Sequence, residues 1–360
     1  MKLHPFVRML LWPASFLYGA VVRVRAWLYA KGIVKSKQLD GVVISVGNLT
    51  VGGTGKTPMV IWLAHRLLTE GRRVGILTRG YRGSVGQSVG IEAGQDSPPG
   101  YVPLHVFSDE VWLYWTKFES KRNEKNLMLG VGRDRWAWGR KLEQAGAEWF
   151  LLDDGFQHLR LARDVNIVML DSTDPFGGGQ LLPAGGLREP CSALRRADLV
   201  VITRTERAPG LETAVRQHTD APFFYAWTAL TDMPQRNTGS VGPMKADPQR
   251  RRFFAFCGIG RPSAFFDDLT RWKIQVAGTM TFPDHYKYSQ KDADEIQARA
   301  KAAGADALVC TEKDIFNLLQ LRFATLPLFY CRIVLHIADA PTFWNQVMEI
   351  VKRKRGEAAL

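Results

Sequence analysis

Val43-Ile44-Ser45-Val46-Gly47-Asn48-Leu49-Thr50-Val51-Gly52-Gly53-Thr54-Gly55-Lys56-Thr57-Pro58 is the stretch whose reading decides the fold. It begins as a β-branched apolar run and passes into a loop with three glycines, the last of which opens Gly-Lys-Thr. It continues as Met59 to Leu68, which has helical length and one apolar face. A strand, a Gly-rich loop and a helix opening on Lys-Thr form the P-loop arrangement for phosphate. The glycines Gly52, Gly53 and Gly55, with Thr54 between them, let backbone N–H groups converge on an anion. The helix N-terminus adds free donors and the positive end of a dipole. Lys56 can reach the outer phosphates of ATP, and Thr57 can offer its hydroxyl to Mg²⁺. One position departs from the common pattern: Thr50 stands where a glycine is usual, five residues before Gly55.

Working outward, a helical N-terminal segment precedes this stretch and strands alternating with helices follow it. The segments Val74–Thr78, Leu127–Val131, Trp149–Leu152, Val165–Leu170, Asp198–Thr203, Phe253–Cys257, Ala307–Cys310 and a last strand from Leu328 read as buried strands. This predicts an α/β chain with a P-loop NTPase-like, mainly parallel sheet flanked by helices, and a second, smaller α/β domain. The expected limits are an N-terminal helix over 1–35, a P-loop domain over 36–220, a second domain over 221–340, and a C-terminal helix with a basic tail over 341–360. Residues 84–105 read as a mobile excursion rich in Gly, Pro and Ser, 119–126 as an exposed charged turn, and 205–250 as irregular apart from a strand near Phe223.

The strand Trp149–Leu152 runs into Asp153-Asp154-Gly155. P-loop enzymes deliver a carboxylate to Mg²⁺ from such a strand end, so Asp153 and Asp154 are both candidate metal ligands. The segment Phe176 to Pro190 is too glycine-rich for a helix and too apolar for a linker, and reads as a binding loop.

Composition narrows the partners. The 360 residues are 46% hydrophobic and carry a formal net charge of +13, which excludes a disordered class and points to an anionic partner. The four cysteines form no Cys-x-x-Cys pair, so neither a zinc site nor a disulfide framework is expected. The uncharged run Met9–Val22 is flanked by Arg8, Arg23 and Arg25. It is shorter than the roughly 20 residues that span a bilayer. Pro13 interrupts it, and no convincing small-x-small cleavage site follows. It reads as a helix lying in the membrane interface, with Trp12, Trp27 and Tyr29 at the boundary and basic residues toward anionic headgroups.

Several segments together resemble the tetraacyldisaccharide 4'-kinase family, the lipid A 4'-kinases of Gram-negative bacteria. They are Ser45–Thr50 through Gly55–Pro58, Arg79-Gly80-Tyr81, Leu152–His158, Leu182–Gly185, Leu187-Arg188-Glu189-Pro190, Phe282–His285 and Thr311–Asp314, in that order. The resemblance implies transfer of the ATP γ-phosphate to the 4'-hydroxyl of a tetraacylated glucosamine disaccharide 1-phosphate, with Mg²⁺. It further implies work at the cytoplasmic face of the inner membrane, against anionic lipids. We expect a monomer that binds no nucleic acid.

The family's residue roles fall on Asp109 as catalytic base, His285 as its partner, Arg188 on the transferring group and Glu189 as a further metal ligand. One departure stands at Ser108-Asp109-Glu110-Val111, where the family usually shows Gly-Asp-Glu-Pro. Since Asp109 lies in the first αβ series and His285 in the second, joint action would put the site in the cleft between them. The rival reading is a membrane-associated P-loop ATPase switch of the partition or cell-division type. It wants Lys just before the paired glycines, where this chain has Val51. A nucleic-acid-binding module is suggested by charge alone, and its contacts would weaken steeply with salt.

Overall fold

The computed structural model describes residues 5–80, 90–91, 108–118, 126–236 and 250–356. Tyr81, the excursion at 84–105 apart from residues 90–91, the charged turn at 119–125, residues 237–249 and the end of the basic tail lie outside the described residues.

The decisive stretch forms β1 (Val42–Asn48) and α2 (Lys56–Thr69), and every residue of β1 is buried. A β-branched run without polar alternation suits a strand covered on both faces, as parallel sheets require. β1 follows α1 (Pro5–Ala30). Then come β2 (Val74–Thr78), β3 (Gly90–Ile91), α3 (Asp109–Lys117), β4 (Leu127–Val131), α4 (Arg135–Gln144), β5 (Trp149–Asp153), β6 (Val165–Asp171), β7 (Leu199–Thr203), α5 (Pro209–Arg216) and β8 (Phe223–Asp232).

The chain divides into two compact units. The first holds Met1–Phe107, Tyr114–Trp227 and Leu335–Leu360, and the second holds Ser108–Leu113 and Thr228–Val334. In the first, the strand order is β8-β7-β6-β1-β5-β2-β4-β3. The pairings among β1, β2 and β4 to β8 are parallel, and β3 runs antiparallel to β4. β1 sits between β5 and β6, with Val46 opposite Asp153. That register sets the end of β5 beside the start of the glycine loop, at the C-terminal edge where α/β sheets bind ligands.

α2 buries Met59, Val60, Leu63, Ala64, Leu67 and Leu68. α9 (Ala340–Arg355) returns to the first unit, where Phe343 packs on the rings of Trp62 and Phe224. Its basic end is engaged: Lys354 reaches Asp198 and Arg355 reaches Asp164, both at 2.7 Å.

The second unit contains β9 (Arg252–Cys257), α6 (Pro262–Arg271), β10 (Gln275–Thr281), α7 (Gln290–Ala302), β11 (Ala307–Thr311), α8 (Glu312–Leu318) and most of β12 (Leu328–Ile337). Its order is β10-β9-β11-β12, all parallel. One core packs Phe254, Phe256, Ile296, Leu308 and Phe323. The opposite face packs Phe253, Phe265, Leu269 and Phe329. The expected mainly parallel α/β architecture is therefore present, with a smaller second α/β unit.

α1 is longer than the uncharged run suggests: 26 residues, with Pro13 inside. From Phe6 to Ala30 it is long and apolar enough to cross a membrane by length and composition. Phe6, Met9, Leu10, Trp12, Phe16, Leu17, Val21, Val24 and Trp27 all stand exposed on it.

Candidate active site

The glycine loop is shaped by backbone conformation. Gly52 has φ 110° and Gly55 φ 84°, both in the region that side chains resist, and Gly55 caps α2. Nothing lies within 4 Å of a Cβ built on Gly52 or Gly53, so this side of the loop is open to an incoming anion. Thr54 is buried, and its carbonyl accepts from the Thr203 hydroxyl at 3.3 Å. Thr57 follows Lys56 in the first turn of α2, half-buried.

Three charged groups meet at the open edge. Lys56 Nζ lies 3.4 Å from Asp154 Oδ1. Arg188 Nη1 lies 2.7 and 2.8 Å from the two Asp154 oxygens. Burial alone would raise the Asp154 carboxyl, but Lys56 and Arg188 outweigh it and hold it at about 2. Two cations sharing one carboxylate are the groups a triphosphate would need.

Its neighbour Asp153 is buried and differs in character. The Tyr114 hydroxyl donates to Oδ2 at 2.8 Å, and Arg135 donates to the backbone carbonyl at 3.4 Å. Oδ1 is buried with no hydrogen-bond partner. Burial pushes this carboxyl up, and the adjacent Asp154 pushes it further. Glu189 is buried, and one guanidinium nitrogen of Arg196 lies 2.9 and 2.8 Å from its two oxygens.

A second cluster forms around Asp109. His285 Nδ1 lies 2.8 Å from Asp109 Oδ2 and 3.1 Å from Oδ1. Both residues belong to the second unit, so their pairing is made within it. Lys313, at the start of α8, places Nζ 3.5 Å from Asp109 Oδ2 and 3.4 Å from His285 Nε2. An ammonium can only donate, so this arrangement assigns the ring proton to Nδ1, facing Asp109. Burial would raise the Asp109 carboxyl, but the His285 hydrogen bond and the Lys313 charge hold it below its ordinary range.

The departure at Ser108 and Val111 has a local explanation. Val111 N–H donates to the Ser108 hydroxyl at 3.3 Å, capping α3 just before Asp109. Glycine has no such hydroxyl and proline no such N–H, so this side-chain cap is one that the usual Gly and Pro could not make.

A family profile described as tetraacyldisaccharide-1-P 4'-kinase matches residues 7–352. The chain belongs to that family. A tetraacyldisaccharide 4'-kinase from Geobacter sulfurreducens is 41% identical over 329 residues, covering 88% of this chain and 86% of the relative. Another from Pelobacter propionicus is 38% identical over 353 residues, covering 96% and 92%. Among solved structures, an "apo" form of LpxK from Aquifex aeolicus in complex with ATP is 30% identical. It covers 96% of this chain and 99% of that one, with a TM-score of 0.71.

A tetraacyldisaccharide 4'-kinase fold implies Mg²⁺ with its ATP, and the residues present fit that ion. The unpartnered buried oxygen of Asp153 stands at the strand end beside the loop that leads to Thr57. Among the described residues no group of three or more His, Cys, Asp or Glu side chains is arranged to hold a metal ion by itself. Mg²⁺ at phosphates needs no such cage, because it keeps several waters and takes one or two carboxylates.

Lys313, Tyr114, Arg135 and Arg196 were not assigned roles from sequence. Lys313 lies inside Thr311–Asp314, a segment that carries the resemblance, but a lysine one residue into a helix gives no chemical signal by itself.

Proposed function

We propose that the protein transfers the γ-phosphate of ATP to the 4'-hydroxyl of a tetraacylated glucosamine disaccharide 1-phosphate, a step of lipid A biosynthesis. The observation that carries this reading is the convergence of Lys56 and Arg188 on Asp154, beside buried Asp153, in a chain of this family. Lys56 and the loop amides hold the β- and γ-phosphates. Thr57 and a carboxylate of the Asp153–Asp154 pair would hold Mg²⁺, with Glu189 as a further candidate; the unpartnered buried oxygen of Asp153 supports Asp153. When bound, the ion neutralises charge on the phosphate oxygens. Arg188 faces the transferring group. Asp109 accepts the proton of the sugar hydroxyl, oriented and assisted by His285.

The exposed apolar side chains of α1 fit the bilayer surface that holds the acceptor's acyl chains, and its arginines suit anionic headgroups. We place the protein at the cytoplasmic face of the inner membrane, as a monomer. The direct test is incubation of the purified protein with labelled ATP, Mg²⁺ and the lipid disaccharide. Label should move to the lipid. Hydrolysis of ATP without lipid labelling would instead support an ATPase switch.

Two further outcomes are expected. Deleting residues 1–30 should release the protein from membranes and reduce turnover on bilayer-embedded acceptor, while ATP still binds. Sedimentation with vesicles and ATP titration measure both, and retention of the truncated protein through a high-salt wash would remove α1 as the main anchor.

The second outcome concerns pH. Asp109 must be ionised to accept a proton, and its carboxyl is held low. The acid limb that Asp109 sets should therefore lie below the ordinary carboxylate range. Lys313→Met removes one of the causes that lower it, so the acid limb of kcat/KM should move to higher pH. An unmoved limb would remove Lys313 from the dyad's electrostatics.

A further inference from the structure

We infer that α1 is part of the scaffold of the phosphate site as well as an anchor: the hydroxyls of Ser15 and Tyr18 are positioning residues that set the loop bearing Arg188. This rests on the reading of Arg188 given above.

The two faces of α1 differ in kind. Trp12, Phe16 and Leu17 are 60%, 70% and 67% exposed, whereas Ser15 between them is 7% exposed. Ser15 Oγ donates to the Leu181 carbonyl at 3.1 Å and accepts from Ala184 N–H at 2.9 Å. One hydroxyl thus clamps both ends of a tight turn in the binding loop. Tyr18 lies three residues on, hence on the same side of the helix. Its hydroxyl donates to the Arg188 carbonyl at 2.8 Å. Arg8 donates to the Gly178 carbonyl at 2.7 Å. Just after Tyr18 the helix approaches the loop closely: a Cβ on Gly19 would lie 2.6 Å from Leu181 Cδ1.

The loop is tied in turn to the P-loop. Arg188 N–H donates to the Leu49 carbonyl at 2.7 Å, and Val51 N–H donates to the Gly186 carbonyl at 2.8 Å. Both backbone groups of Arg188 are therefore engaged, the N–H by the segment entering the glycine loop and the carbonyl by α1. Its guanidinium is the group on Asp154. A helix that served only to hold lipid would need neither a buried Ser15 hydroxyl nor a half-buried Tyr18 hydroxyl aimed at a loop. Here the polar contacts of α1 run to the segment that presents an arginine to phosphate, and small displacements of such a group are costly to turnover.

The test uses the full-length protein with Tyr18→Phe, Ser15→Ala, Arg188→Ala and the double variant Tyr18→Phe/Arg188→Ala. Measured are kcat, KM for ATP, thermal melting, and sedimentation with anionic phospholipid vesicles. Each hydroxyl variant should lose roughly tenfold or more in kcat. KM for ATP, melting and vesicle binding should stay as in the wild type. Tyr18→Phe should cost nothing further once Arg188 is alanine, because residues acting through one another are non-additive. Wild-type kcat in both hydroxyl variants, with Arg188→Ala inactive, overturns this inference alone. A loss that persists undiminished in the Arg188→Ala background, or that tracks release from vesicles, also overturns it. Normal turnover of Arg188→Ala overturns this inference and the reading of Arg188 together.

Discussion

Turnover of the Lys56→Ala protein is expected to fall by about two to three orders of magnitude, the usual loss when one preorganised donor is taken from developing charge. Lys56 is the first residue of α2, and Gly55 before it adopts a conformation that aims the helix start at the open side of the loop. Its side chain is largely covered, with 14% exposed, and its ammonium lies 3.4 Å from Asp154. The charge is thus held in place before any phosphate arrives, which is the condition for a large electrostatic contribution. Folding should survive the change, because Asp154 keeps the two short contacts to Arg188. Single-turnover transfer with saturating ATP isolates the chemical step, and thermal melting checks the fold. A folded Lys56→Ala protein with near-normal transfer would remove the P-loop from the mechanism.

The first unit was largely legible because its strands are uniform. β1, β5, β6 and β7 are buried throughout and are dominated by apolar residues, with Ser45 in β1 and Asn166 in β6 as isolated exceptions. The glycine loop was legible for a separate reason: few sequences place Gly-Lys-Thr between such a strand and an amphipathic helix. β10 gave no comparable signal. It is an edge strand reading Gln-Val-Ala-Gly-Thr-Met-Thr, mostly not buried, with a register shift between Val276 and Gly278. α5 and the far part of β8 were hidden in a polar stretch, since β8 loses its buried character along its length.

Among site residues, Lys56, Thr57 and the acidic pair announced themselves through local chemistry. Asp109, Arg188, Glu189 and His285 emerged only with the resemblance; the partners of Asp109, Arg188 and His285 lie far away in sequence. Asp109 and His285 are 176 positions apart, and no local pattern records that distance. Lys313 was invisible for the same reason. What identifies it is the short approach to two side chains, each delivered by a different part of the second unit.

The second large effect concerns that dyad. Asp109→Ala and His285→Ala should each lower kcat by about two to four orders of magnitude, the range for a positioned base. The double variant should lose little more than the worse single one, because removing either member leaves the other without its task. The structure supplies the reason. Asp109 is 5% exposed and takes the His285 Nδ1–H at 2.8 Å, so the ring has one orientation and one tautomer only while the carboxylate is there. The His285 backbone is fixed as well: its amide N–H donates to the Gly258 carbonyl at 3.1 Å, and it sits at φ 56°. Loss of Asp109 takes away the carboxylate that fixes Nδ1, while Nε2 keeps Lys313 at 3.4 Å and Asp284 at 3.8 Å. Asp109→Ala would leave Lys313 facing Glu110 and Asp284 at 4.0 and 3.9 Å, so its charge keeps neighbours and the unit should stay folded. Asp109→Asn guards against a packing artefact: it keeps the shape and a hydrogen bond to the ring but cannot accept the proton, and it should be as inactive as alanine. Additive losses in the double variant would separate the two residues, leaving Asp109 to act without His285. Normal turnover of Asp109→Asn would mean that the 4'-hydroxyl loses its proton without a side-chain base.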